Sequence, residues 1–523
     1  MVKHSPYPDL VIPEVPVHEY ILKQIAAYGD DIALIDNTKG ETLTFNQVSE
    51  HVRKLASALN KLGIKKGDIV AICSSNCIEY IVVMLAVSAC GGITTTCNPL
   101  YSETEILQQL KLSNPNAAFC DLDVYKRLKS VKKYLSTLKN VFTFEETPEI
   151  TSYAKLVRTD DGQGYPFVQF DPRNDVFLLP YSSGTTGLPK GVVVSHYYTM
   201  AQTVINSVSF YQSRSSCQYI VIPMFHVFGY SMALHTISRG SKLVVDKRFH
   251  LETMLEAVQR HQVTHVCTVP PIMIALASTH LHTKYNTSSL KRMLTGAAPC
   301  APSLIRTVQD KYNLLITPGY GMTEMVPITL ADPLVSRSDS VGTIVPNTEI
   351  MVIDPETGKE LNAGEDGEIL ARGPQMMSGY LGNTQATKRT INADGWIHTG
   401  DLGHYDEDGM LYVVDRLKEL IKYKGFQVAP AELESVLLTH PDIKDAAVIG
   451  IPDVLAGELP KAFVVRKSPS LTEEAVIKFV ERDLVHYKRL RGGVQFVETI
   501  PQSASGKILR RELRKMSIGK SHL

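Results

Sequence analysis

Between residues 40 and 125 the chain alternates helix and strand, and this rhythm constrains the fold more than any other feature. Thr44 and Gln47 form a capping box, after which Val48, Val52, Leu55, Leu59 and Leu62 recur at helical spacing. Strands are expected at 69–73, 93–96 and 117–120, with helices at 78–89 and after the Ser102/Glu105 box. Continuous apolar strands joined by helices predict a parallel α/β sheet, because a strand covered on both faces has no polar side. The same rhythm recurs from 218 to 317, with strands expected at 219–222, 242–245, 265–269 and 314–317. Residues 341–414 differ: short strands and turns such as 354–358 and 406–409 predict a β-rich subdomain.

A charged connector, 415–419, leads into a smaller α/β unit. Pro430 opens its first helix, and a second is boxed by Ser470 and Glu473, with strands between them at 445–451 and 462–465. At 523 residues the chain exceeds one ordinary core. We therefore expect a large α/β domain over 1–415 and a small one over 416–523.

Lys+Arg and Asp+Glu both total 54, so no net field points to nucleic acid or to an acidic membrane. The eight cysteines show no CxxC spacing and all precede residue 301, which fits reduced thiols rather than a disulfide framework. The N-terminus lacks the apolar stretch of a secretory signal, and the most apolar run, 80–93, is too short to span a bilayer. The expectation is a soluble protein. The C-terminal Ser521-His522-Leu523 is a conservative variant of the Ser-Lys-Leu peroxisomal address. It predicts a peroxisomal location through the import receptor, with the cytoplasm as the alternative.

Residues 181–191 read Tyr-Ser-Ser-Gly-Thr-Thr-Gly-Leu-Pro-Lys-Gly between two apolar strand-like runs. Gly184 and Gly187 let the backbone turn and expose its N–H groups, while Ser182, Ser183, Thr185, Thr186 and Lys190 add donors. Such a concavity suits a polyphosphate. It is not a Walker A loop, since Pro189 precedes Lys190 and Gly191 follows it. The segment 318–324, Pro-Gly-Tyr-Gly-Met-Thr-Glu, follows a predicted strand end, where open parallel sheets bind ligands. Glycines beside Tyr320 allow a planar ring to approach it, and Glu324 is a hard oxygen ligand.

These stretches resemble the motifs of the adenylate-forming superfamily: acyl-CoA synthetases, peptide-synthetase adenylation domains and beetle luciferases. The resemblance extends over about residues 30–515 and is nearest in wording to 4-coumarate-CoA ligase-like and luciferase-like acyl-CoA synthetases. It implies stacked, mostly parallel sheets in the large domain and a mobile small domain. It further implies ATP, Mg2+ and CoA as cofactor and cosubstrates, and a small carboxylic acid as substrate.

Carried onto this sequence, the resemblance places adenine on Tyr320 against Gly296, Ala297 and Ala298. Thr323 then contacts the phosphate, Glu324 ligates Mg2+, and Asp401 receives the ribose hydroxyls with Arg416 beside it. His226, followed by Phe228 and Gly229, gates the carboxylate pocket, which Ala297, Gly321 and Met322 complete. Lys507 is the expected adenylation residue. Lys422 and Gln427 approach the adenylate during thioester formation, Lys424 and Gly425 face CoA, and Lys418 is the hinge. No aspartate lies between Pro223 and Ala233 to hold an amino acid's ammonium, which disfavours a peptide-synthetase module.

The expected activity is ATP-dependent ligation of a hydrophobic acid, fatty or aryl, to CoA through an acyl-adenylate. A luciferase-type adenylating monooxygenase would share these motifs. A non-catalytic ligand-binding homologue would be expected to lack Lys507, Glu324 or Asp401, and all are present.

Overall fold

The computed structural model describes residues 2–182, 189–331, 339–424, 426–503 and 506–518, without the side chains at 483 and 518. Ser183, Gly184, Thr185, Thr186, Gly187, Gly425 and Ser521-His522-Leu523 lie outside the described residues.

Two large sheets dominate. In the first, Val176–Leu179, Ile93–Cys97, Ile69–Cys73, Ala117–Cys120 and Asn140–Thr143 are neighbours in that order and run parallel. Lys190–Ser195 pairs antiparallel at its edge, and Gly379–Tyr380 pairs antiparallel with that strand. The second sheet has six parallel strands, Leu315–Met322, Arg292–Thr295, His265–Thr268, Cys217–Ile220, Lys242–Val245 and Ile32–Asp36, in that order. A third, antiparallel sheet joins Lys3–His4 to four strands between Glu349 and Arg416.

The strand pleat explains the layering. In Ile69–Cys73, Val70 and Ile72 belong to the core between the two large sheets, whereas Ala71 and Cys73 face the outer helices Glu103–Ser113 and Leu122–Lys132. Two helices of this core are buried on nearly every side. Glu79–Ala89 is buried at every residue, and Val227–Ser238 at every residue but Phe228. Helices apolar all round are stable only in such a place. The apolar run noted in the sequence is thus a buried core helix, and no described helix is long and apolar enough to cross a membrane. All eight cysteines are free.

The small domain is built on the antiparallel pair Ile443–Asp453 and Gly457–Arg466. Ala446, Val448, Ala462 and Val464 pack in the same core as residues of Pro430–Leu437 and Glu473–Asp483. Ala447, Ile449, Phe463 and Val465 pack with Leu513 of the last helix, Arg510–Ile518.

Local expectations hold at the Thr44/Gln47 and Ser102/Glu105 capping boxes. Three need correction. The helix starting at Glu473 is capped by Thr472, whose hydroxyl accepts from Ala475 N–H, while Ser470 pairs with Ser468 instead. The strand expected at 219–222 is Cys217–Ile220, because its pairing begins where Cys217 meets Lys242. The strand expected to stop at 317 continues to Met322, since a hairpin partner takes up its backbone bonds.

Candidate active site

The carboxyl ends of Arg292–Thr295 and Leu315–Met322 open onto the site. The second strand carries Tyr320, Gly321 and Met322 and turns through Thr323-Glu324 into Met325–Leu330, a hairpin with a register shift between Tyr320 and Met322. Gly321 makes that turn possible: a Cβ there would lie 2.7 Å from a Val326 methyl. Gly296, Ala297 and Ala298 form the loop beside it, with Ala297 exposed at φ +68°.

Tyr320 and Asp401 come from different sheets. The Tyr320 hydroxyl donates to one Asp401 carboxylate oxygen at 2.7 Å, and Arg416 Nε approaches the other at 3.1 Å. Asp401 and Arg416 face each other in the antiparallel pair Ile397–Tyr405 and Leu411–Arg416, so the ladder itself fixes the ion pair. Burial pushes the Asp401 carboxyl up, against the pull of Arg416, Tyr320 and Lys507. The phenol of Tyr320 is pushed far up by burial and by Asp401.

Lys507 reaches this group from the small domain. Lys507 N–H donates to the Ser503 hydroxyl at 3.1 Å, and Gly506 N–H to Ser503 O at 2.9 Å. Gly506 has φ +77°, and a Cβ there would lie 3.2 Å from Pro271 of the large domain. Glycine thus permits both the turn and the close approach. Burial lowers the Lys507 pKa to about 8, helped by Arg416 and opposed by Asp401 and Glu324. Arg416, expected at the start of the small domain, instead ends the strand Leu411–Arg416 of the third sheet, opposite Asp401.

Glu324 is buried, and one of its oxygens accepts from the Tyr380 hydroxyl at 2.7 Å. Thr323 O accepts from the Tyr198 hydroxyl at 3.2 Å. Lys190, opposite Ser182 in register, holds its Nζ 4.7 Å over the Tyr380 ring. Tyr198 and Tyr380 carry no motif of their own in the sequence. The pairing of Gly379–Tyr380 with Lys190–Ser195 brings Tyr380 here.

His226 stands at the N-cap of Val227–Ser238, its ring 4.5 Å from that of Phe225. Burial lowers its pKa to about 4, with a smaller contribution from Lys507, so the imidazole is neutral near pH 7. Gly229 is buried, and a Cβ there would meet Pro223 O at 2.2 Å, so the tight loop demands glycine whatever lies in the pocket. Phe225, Tyr320, Met322 and Val326 pack against a core that contains Tyr198 and Tyr230, giving this end of the site an apolar lining. Phe228 packs against the neighbouring core.

Lys422 and Gln427 are opposite residues in the hairpin Ile421–Tyr423/Phe426–Val428. Both are exposed, as is Lys424 at φ +47°. Lys418 is exposed on the connector between the domains. On one side of it, Leu417 N–H donates to Gly400 O at 2.9 Å in the large domain. On the other, the Glu419 carboxylate meets Arg514 at 3.4 Å and Arg510 at 3.9 Å in the small domain.

The AMP-binding enzyme family matches residues 21–381, and the AMP-binding enzyme C-terminal domain matches residues 432–507. A 4-coumarate–CoA ligase of Petroselinum crispum is 40% identical, covering 98% of this chain and 96% of its own length. One from Oryza sativa subsp. japonica is 40% identical over 99% and 98%. Among solved structures, ATP-bound MatB from Rhodopseudomonas palustris is 25% identical with a TM-score of 0.87, covering 96% of this chain and 99% of that one. The o-succinylbenzoate CoA synthetase of Bacillus subtilis, solved with its acyl-adenylate intermediate, is 27% identical with a TM-score of 0.83 over 96% and 98%. The chain belongs to the AMP-binding enzyme family and is an adenylate-forming enzyme related to the 4-coumarate–CoA ligases.

Proposed function

We propose that this protein is an acid–CoA ligase that works through an acyl-adenylate. The observation that carries the reading is the packing of the Gly506-Lys507 segment against Pro271, which buries Lys507 within the electrostatic reach of Asp401, Arg416 and Glu324. In the first step a carboxylate oxygen bonds to the α-phosphorus of ATP as the bond to pyrophosphate breaks. In the second the CoA thiol attacks the acyl carbon, loses its proton, and AMP leaves. The first step sets anion against anion, so the site must supply positive charge rather than covalent chemistry.

In this account Asp401 accepts from the ribose hydroxyls, and the Tyr320 ring stacks on adenine. The charged Lys507 ammonium offsets the developing charge between acid and phosphate, and Lys190 with the Ser/Thr-rich loop holds the distal phosphates. The neutral imidazole of His226 borders the carboxylate without adding a charge. Glu324 fits Mg2+, which takes one or two carboxylates and fills its other positions with phosphate oxygens and water. When bound, Mg2+ supplies further charge neutralisation at the phosphates.

Lys422, Gln427 and Lys424 are exposed in this arrangement while Lys507 is in the site, which supports a separate role for them in the thioester step. The ties on either side of Lys418 support a pivot at that residue, with the small domain rotating between steps. The identity of the relatives and the apolar lining favour a hydrophobic acid, an aryl acid of the 4-coumarate kind ahead of a fatty acid. The test is kcat/KM for CoA-thioester formation across cinnamates and C6 to C18 fatty acids. A fatty-acid preference would reverse that order, and no thioester from any of them would remove the ligase reading.

A further inference from the structure

Tyr380 links two parts of the nucleotide site that the chain makes from distant segments. Its hydroxyl donates to Glu324 Oε1 at 2.7 Å, and its ring lies 4.7 Å beneath Lys190 Nζ. The register explains both contacts. Tyr380 faces Val192 across the antiparallel pair, and Lys190 stands two residues earlier on the same face of that strand, within diagonal reach. Tyr380 itself is fixed: it is buried, and its N–H donates to the Thr387 hydroxyl at 2.9 Å. Glu324 is held at the backbone as well, its carbonyl accepting from Met377 N–H at 2.8 Å, three residues before Tyr380.

The consequence is electrostatic. Glu324 is a buried carboxylate and Lys190 a nearby cation, and a direct ion pair between them would occupy both before a nucleotide arrived. The described contacts show neither bonded to the other. The tyrosine stands between them, giving the carboxylate a hydroxyl and the ammonium a π face. A cation over an aromatic ring is held weakly and is released readily to a phosphate.

We propose that Tyr380 is a positioning residue of the nucleotide site. Its hydroxyl orients Glu324 toward a phosphate-bound divalent cation, and its ring keeps Lys190 free for the phosphates. The inference rests on the adenylation reading. Hydrogen bonds to charged groups typically decide about tenfold or more in an equilibrium, so the effect is measurable.

The test measures affinity for ATP with Mg2+ and for ATP in EDTA by calorimetry, in wild type, Tyr380→Phe and Tyr380→Leu, with melting curves for each. Tyr380→Phe keeps the ring and loses the hydroxyl. It should shrink the advantage of MgATP over free ATP by about tenfold, leave the free-ATP affinity near wild type and raise half-saturating Mg2+ for pyrophosphate release. Tyr380→Leu, which also removes the π face, should in addition weaken free ATP, because Lys190 can then close on Glu324. A Tyr380→Phe protein with the wild-type MgATP advantage overturns the inference, as does loss of affinity only in step with a lowered melting point. Failure of the wild type to release pyrophosphate would instead refute the adenylation reading on which the inference stands.

Discussion

The Tyr320 hydroxyl bonds to Asp401 at 2.7 Å, although 81 residues separate them. With Arg416 on the other carboxylate oxygen, Asp401 is held from both sides, and in the proposed function it accepts from the ribose hydroxyls. Asp401→Asn would keep the size and lose the charge, leaving Arg416 without its partner. We expect KM for ATP to rise by about ten- to a hundredfold, the usual weight of a charged hydrogen bond, with a smaller change for the acid. Equal changes for ATP and acid would place Asp401 outside the ribose site.

Lys507 gives a pH prediction. Its pKa is lowered to about 8, so the charged form, which the proposed adenylation role requires, is present below pH 8 and lost above it. For pyrophosphate release, kcat/KM for ATP should therefore be level near pH 7 and fall above pH 8. Lys507→Arg stays charged and should show a lower plateau that does not fall there. The same depressed pKa means that the unfolded chain binds more protons between this value and the ordinary lysine range. Through Lys507, stability should rise, not fall, as pH climbs through that window. His226, with its pKa lowered to about 4, is mostly neutral by pH 5 and should add no acid limb above it.

Gly229 gives a stability prediction separate from chemistry. A Cβ at 229 would meet the Pro223 carbonyl oxygen at 2.2 Å, and backbone cannot swing aside as a side-chain end can. Gly229→Ala should cost about 1–3 kcal/mol, the usual penalty for overpacking, read as a lower melting temperature. An unchanged melting temperature would show that the loop before the helix gives way freely.

Lys418 lies between a tie to the large domain and a tie to the small one. Lys418→Pro, which fixes φ, should slow thioester formation from a supplied acyl-adenylate more than it slows pyrophosphate release. Equal slowing of both would argue against a pivot at this residue.

The fold was legible where hydrophobic pattern decides structure. The helix Glu79–Ala89 is apolar on every face and buried at every residue, and the strand Ile69–Cys73 is covered on both sides. Loops with unusual composition announced Tyr320, Glu324 and Lys507. What stayed hidden depends on three-dimensional pairing. Tyr380 sits 56 residues from Glu324, in a segment whose composition is that of any turn, and only a strand register joins them. The 318–324 segment reads as the end of a strand because glycines usually break one. Here Gly321 is what lets the hairpin close on Val326. The Ser470/Glu473 spacing looks like a capping box, but Thr472 takes the cap and the Ser470 hydroxyl bonds to Ser468.

The central claim is that one site performs two chemical steps with different lysines in attendance. The most direct measurement is of the two half-reactions separately in wild type and Lys507→Ala: pyrophosphate release from MgATP and acid, and CoA-thioester formation from synthetic acyl-adenylate. We predict that Lys507→Ala loses pyrophosphate release almost completely and keeps thioester formation near the wild-type rate. Equal loss of both, or retention of pyrophosphate release, would contradict the account.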